Sequence, residues 1–158
     1  MESLLESLAN EGIAYSDKAL SLSSRGQWLD ILKSHQSRDT FHSALIGRHG
    51  QSQKNSSIRN DEISWLQSDR DDDLKILKVL EDWRFFLNHA LMLSTDKTEA
   101  HFAHYGPGHY YKRHKDQSET KKSRSLTFIV YLHKQWKLGD GGELVISEDD
   151  CREIRQII

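Results

Sequence analysis

The stretch Tyr105–Gln117, YGPGHYYKRHKDQ, gathers three tyrosines, two glycines, the only proline of the chain and a His-x-Asp pair. On extended backbone, residues two apart project to the same face, so the His114 imidazole and the Asp116 carboxylate can reach one ion. Imidazole nitrogen and carboxylate oxygen suit a divalent first-row metal. A lone His-x-Asp is more often a solvated polar pair, so its neighbours must decide. The flanking basic runs, KRHK (112–115) and KKSR (121–124), read as a solvated loop. With 22 basic against 24 acidic residues and a formal net charge of −2, there is no global field to attract nucleic acid or an acidic membrane.

The elements that must position this stretch follow from length and patterning. A chain of 158 residues has the size of one domain and can bury a core. Its single cysteine, Cys151, fits a reducing compartment, and the acidic N-terminus lacks the basic and apolar regions of a signal peptide. No apolar run approaches a membrane span. The expectation is a cytoplasmic protein.

ESLLESLAN places Leu4, Leu5 and Leu8 on one helical face, with Gly12 as its stop. IAYSDKAL reads as a short strand or an extended entry. Ser24 with Gln27 forms a capping-box pattern, and Trp28, Ile31, Leu32 and His35 follow at helical spacing, predicting a helix over 24–37. FHSALI and EISWLQ read as strands around a polar loop. Three aspartates then open LKILKVLEDWRFFLNHALML, where Leu77, Leu80, Trp83, Leu87 and Leu91 recur at three- and four-residue intervals. That predicts a core-packing helix over 71–93. EAHFAHY (99–105), SLTFIVYL (125–132) and GDGGELVIS (139–147) read as strands, the last entered through a glycine turn. In SLTFIVYL, Leu126, Phe128, Val130 and Leu132 share one face, and Ser125, Thr127, Ile129 and Tyr131 the other. Helices followed by strands predict an α+β protein with helices outside a sheet or barrel.

His-x-Asp supplies two corners of the 2-His-1-carboxylate site of non-haem Fe(II) oxygenases, which leaves positions open on one side of the metal. The spacing around it extends the pattern: Tyr105, Gly108, Tyr111, His114, Asp116, Arg124, Thr127, Tyr131, Leu132, Trp136, Gly141, Gly142 and Leu144. This series resembles the catalytic core of the 2-oxoglutarate- and Fe(II)-dependent prolyl 4-hydroxylases, particularly the hypoxia-sensor-like branch and its bacterial relatives. IRNDEISWL (58–66) resembles another segment of that family, with Asn60 where glycine is usual.

The resemblance implies a double-stranded β-helix (jelly-roll) core supported by helices over 1–40 and 71–93, with the core itself formed by 41–66 and 99–158 within a single domain. It implies His114 and Asp116 as iron ligands. It implies Tyr131 as the tyrosine reaching the far carboxylate of 2-oxoglutarate, and Tyr105, Thr127, Ile129 and Leu144 as further walls of that pocket. Arg124 matches an arginine at the mouth of the site. The implied cofactors are Fe(II), 2-oxoglutarate and O2, with ascorbate as reductant. The implied reaction yields succinate, CO2 and a hydroxylated prolyl residue in a protein substrate; a translation factor is the target suggested by bacterial relatives.

The family's third ligand is a histidine two strands beyond the GGEL strand, followed by a basic residue that anchors 2-oxoglutarate. No histidine follows His133 and no basic residue follows Arg155. The expectation is therefore a C-terminally truncated relative whose last core strands are missing, with IRQII as the approach to the absent strand. Three accounts stay open: an early stop, a fragment, or an intact protein using another histidine such as His101. The rival to enzyme activity is a non-catalytic remnant that binds a peptide or protein. A zinc hydrolase is disfavoured, because nothing resembles a general base beside the metal.

Overall fold

The computed structural model describes residues 2–46, 53–116, 124–133, 135–137, 139–147 and the backbone of 153–157. Helix α1 (Glu2–Glu11) ends where expected: Gly12 adopts φ +72° and its N–H donates to the Leu8 carbonyl at 3.1 Å. IAYSDKAL forms an extended entry and a turn, with no strand. Helix α2 (Leu22–Ser37) begins earlier than the Ser24 pattern predicts. Its cap is Ser21, in extended conformation, whose hydroxyl oxygen accepts the Ser24 N–H at 3.0 Å. Ser24 thus lies inside the first turn as the capped partner.

Helix α3 (Asp71–Leu91) has no side-chain cap. Its three aspartates sit in the first turn, where the helix dipole favours negative charge. It stops short of 93 because Met92 turns left-handed at φ 52°. Its buried stripe is Asp73, Ile76, Leu80 and Leu87, so Ile76 rather than Leu77 faces inward. Trp28 and Ile31 of α2, Ile76 and Leu80 of α3, and Phe102 form the core. Full burial of side chains of this size contributes about 1.5–3 kcal/mol each.

A three-stranded antiparallel sheet runs in the order β1 (His42–Ser43), β2 (Glu62–Trp65), β3 (His101–His104). A separate antiparallel pair joins β4 (Leu144–Ser147) to β5 (Glu153–Ile157). Two sequence expectations change here. IRQII is not an approach to a strand, since Glu153–Ile157 is itself the strand paired with β4. SLTFIVYL is extended but makes no strand ladder among the described residues. Its alternation nevertheless holds. Val130 and Leu132 pack on the core and the Phe128 ring meets Trp83 at 5.7 Å, while Thr127 and Tyr131 engage other partners.

One buried polar node ties helices to sheet. His35, fully buried on α2, places Nε2 2.7 Å from Asp73 Oδ1 and Nδ1 2.7 Å from Ser64 Oγ. Thr40 Oγ1 lies 2.7 Å from the same serine oxygen, and the Gln67 N–H donates to the other Asp73 oxygen at 2.8 Å. The Phe102 ring meets the imidazole edge-on at 5.1 Å. A buried charge that loses its partner is costly. His35→Ala is therefore expected to lower the unfolding free energy by about 3–5 kcal/mol, read as a shifted midpoint in urea denaturation.

Candidate metal centre

The site grows from two chain segments laid side by side. Residues 58–60 run antiparallel to 110–112: the Lys112 N–H donates to the Ile58 carbonyl at 2.9 Å, and the Asn60 N–H to the Tyr110 carbonyl at 3.1 Å. Asn60 Oδ1 accepts the Tyr110 N–H at 2.6 Å. The position where the resembled family has glycine is thus filled by a side chain that makes a second tie. It carries no backbone strain, because Asn60 is not among the positive-φ residues. Gly108 does turn left-handed, at φ +74°, and the glycine tolerates this where the chain swings from β3 towards Tyr110.

Asp61 is fully buried and receives two hydrogen bonds from Arg59, one of them Nε to Oδ1 at 2.7 Å. The Arg59 guanidinium carbon lies 4.2 Å from the Tyr111 ring centroid. The His114 ring stacks on Tyr111 at 3.6 Å with only 13° between planes. Burial opposes the Arg59 charge, but the Asp61 hydrogen bonds and charge hold its pKa above the ordinary value.

His114 Nδ1 lies 2.8 Å from the Lys112 carbonyl. A carbonyl can only accept, so Nδ1 carries the proton and donates. Nε2 then faces Asp116 Oδ1 at 3.2 Å. A bare imidazole lone pair this close to a carboxylate is repulsive unless a proton or a cation lies between them. Two ligands at right angles around an ion, each about 2.1 Å from it, stand about 3 Å apart, so the pair has a spacing suited to sharing a first-row metal. The other Asp116 oxygen accepts the Thr127 hydroxyl at 2.7 Å, and Arg124 Nη1 approaches Oδ1 at 3.6 Å. Partial burial pushes the Asp116 carboxyl up. The Thr127 hydrogen bond, the Arg124 charge and His114 outweigh it and hold the pKa below the usual value. A shallow depression of about 340 Å³ opens here, between Lys115–Asp116 and Arg124–Thr127.

Of the other residues singled out by sequence, Tyr131 and Leu144 come together at the glycine turn. The Tyr131 hydroxyl donates to the Gly142 carbonyl at 3.0 Å, and burial raises its pKa against an opposing backbone hydrogen bond at Leu144. Tyr105 is 44% exposed, yet burial, and then the Asp61 charge, push its hydroxyl up to about 12. Arg59, Tyr111 and Tyr131 also act on it. Ile129 is 53% exposed between Thr127 and Tyr131. His101 leans on Trp65 at 4.8 Å, and burial, with Arg59 and Arg124, lowers its pKa. It does not join the donor pair: among the described residues no group of three His, Cys, Asp or Glu side chains forms a metal cluster.

IRNDEISWL stands out in the sequence by resemblance alone, which gives Arg59 and Asp61 no role. The signal was present, since Arg59, Asp61, Ile63 and Trp65 share one face by period two. The side chain over the Tyr111 ring could not be read from spacing.

Residues 100–157 match the family model of the 2OG-Fe(II) oxygenase superfamily, a span that includes both donors and everything from β3 to β5. The fold is similar to the crystal structure of a Pseudomonas putida prolyl-4-hydroxylase, with a TM-score of 0.71 and 22% identity. The alignment covers 98% of this chain and 80% of that one. The fold thus falls with the double-stranded β-helix expected from sequence, with two small sheets of that architecture described. No described helix is long and apolar enough to cross a membrane.

Asn60→Gly removes the tie to Tyr110 and frees the backbone of the unfolded chain. The expected outcome is a loss of about 1 kcal/mol of stability, measured by urea denaturation.

Proposed function

We propose that this chain, by family a 2OG-Fe(II) oxygenase, acts on a prolyl residue of a protein substrate, with Fe(II) held by His114 and Asp116. The observation that carries the reading is the orientation of His114. Its Nδ1 proton is committed to the Lys112 carbonyl and its Nε2 is aimed at the Asp116 carboxylate. Such a lock fixes which nitrogen a metal takes. When bound, Fe(II) with 2-oxoglutarate and O2 supplies oxidising power that no side chain has.

The chain's own residues prepare that chemistry. Thr127 holds the second oxygen of Asp116, so only Oδ1 turns towards His114. Arg124 adds positive charge beside the same carboxylate. Tyr131 and Leu144 form one wall for 2-oxoglutarate, the tyrosine turning its hydroxyl from the Gly142 carbonyl to the cosubstrate and the leucine adding apolar surface, while Tyr105 keeps its proton at neutral pH and serves as a hydrogen-bond donor. Ile129 adds apolar surface along the same face as Thr127 and Tyr131. The substrate class rests on the likeness of fold to the prolyl-4-hydroxylase and on the tyrosine-rich approach to His114.

The test is succinate release by the purified chain given Fe(II), 2-oxoglutarate, O2 and ascorbate, with and without proline-containing peptides. The expected outcome is iron-dependent succinate formation that a proline peptide accelerates and that His114→Ala and Asp116→Ala each reduce to background. Succinate formation equal in the wild type and His114→Ala would refute the assignment. Peptide binding with no iron-dependent turnover would favour the binding-module reading instead.

A further inference from the structure

We propose that Arg59, clamped by Asp61, is a positioning residue that sets the His114 ring through the intervening ring of Tyr111. The inference rests on the metal site proposed above but concerns a part of the chain that touches neither donor. An aromatic ring has two faces. An imidazole lying flat on Tyr111 at 3.6 Å covers one, which leaves the other for a guanidinium carbon 4.2 Å from the centroid. Arg59, Tyr111 and His114 therefore form a column, anchored at its base by a carboxylate with 0% exposure. The Arg59 side chain is itself only 12% exposed.

Each layer is held independently of the ring contacts. Asp61 fixes the guanidinium through two hydrogen bonds, the bridge between Arg59 and Tyr111 fixes the two backbones, and the Lys112 carbonyl fixes the rotation of the imidazole. Stacking adds what these hydrogen bonds leave free, namely the tilt of the His114 plane. That tilt decides where the Nε2 lone pair points relative to Asp116.

The column also explains why the cation at position 59 is arginine. Lysine would neutralise Asp61 equally well. Only the flat guanidinium makes the paired hydrogen bonds to the carboxylate while lying over an aromatic face.

Arg59→Lys therefore separates positioning from charge neutralisation. The measurements are Mn(II) affinity by titration calorimetry and the ring-proton resonances of His114 in the metal-free, histidine-labelled chain. They are made on the wild type, Arg59→Lys, Tyr111→Leu, Tyr111→Phe and the double variant Arg59→Lys/Tyr111→Leu. The expected outcome is a loss of Mn(II) affinity of about tenfold in Arg59→Lys and in Tyr111→Leu. The His114 ring resonances should move downfield as the imidazole leaves the tyrosine face. Tyr111→Phe should retain both wild-type values, and the double variant should be no worse than Tyr111→Leu, because Arg59 acts through that ring.

His114 resonances unmoved in Arg59→Lys while the thermal midpoint falls would overturn the proposal, as would losses that add fully in the double variant. A wild-type chain that binds no Mn(II) would refute the metal site rather than the column. The resonances of the metal-free protein would still decide whether Arg59 sets the imidazole.

Discussion

Asp61 is a carboxylate with no exposed surface, and the folded chain must answer its charge from within. A buried anion tolerates only a partner of excellent geometry. The answer comes from Arg59, two residues away in the segment leading into β2, and that choice fixes much that follows. The guanidinium is held flat, Tyr111 covers it, and His114 covers Tyr111. The backbone rows of 58–60 and 110–112 cannot slide without uncoupling the charge pair from the ring above it. An electrostatic requirement inside the sheet thus determines the attitude of an imidazole at the surface.

The molecule separates support from chemistry along the two faces of β2. On one face Ser64 joins His35, Thr40 and Asp73 in a node that fastens the sheet to α2 and α3. On the other, continued through the residues just before the strand, Asp61 holds Arg59 against the Tyr111 ring and Trp65 meets His101. Buried polar groups on both faces resist a shift of the strand by one residue, since such a shift would send Asp61 among the helices and Ser64 towards the site. The strand is short, at Glu62–Trp65, and side-chain specificity stands in for length.

Much of this was legible in the residues. The helices announced themselves through apolar periodicity, and α1 ended at its glycine. Thr127, Tyr131, His114 and Asp116 were marked by spacing and by resemblance, and the geometry sets Thr127, Arg124 and His114 each against the Asp116 carboxylate. What stayed hidden depended on contacts between distant segments. His35 sat in an apolar helical stripe and read as one more packing residue, yet its imidazole is the centre of the buried node. The capping-box spacing pointed to Ser24, whereas α2 is capped by Ser21, three residues earlier, whose hydroxyl oxygen takes the Ser24 N–H. Residues 125–132 have the composition of a strand, but a ladder needs a neighbour, and composition says nothing about which segment lies alongside.

That last segment has a consequence for how the chain can change over evolutionary time. Ordinarily a ladder sets the alignment of a strand, and alignment errors are corrected by many equivalent backbone bonds. Between Thr127 and Tyr131 it is set by two hydroxyls, one on Asp116 and one on the Gly142 carbonyl. A single inserted or deleted residue between them would force one hydroxyl off its partner, or turn Phe128 and Val130 away from the core. The interval is thus closed to insertions and deletions even though no ladder forms there among the described residues. Within that interval, Thr127 and Tyr131 must change together with its length or not at all.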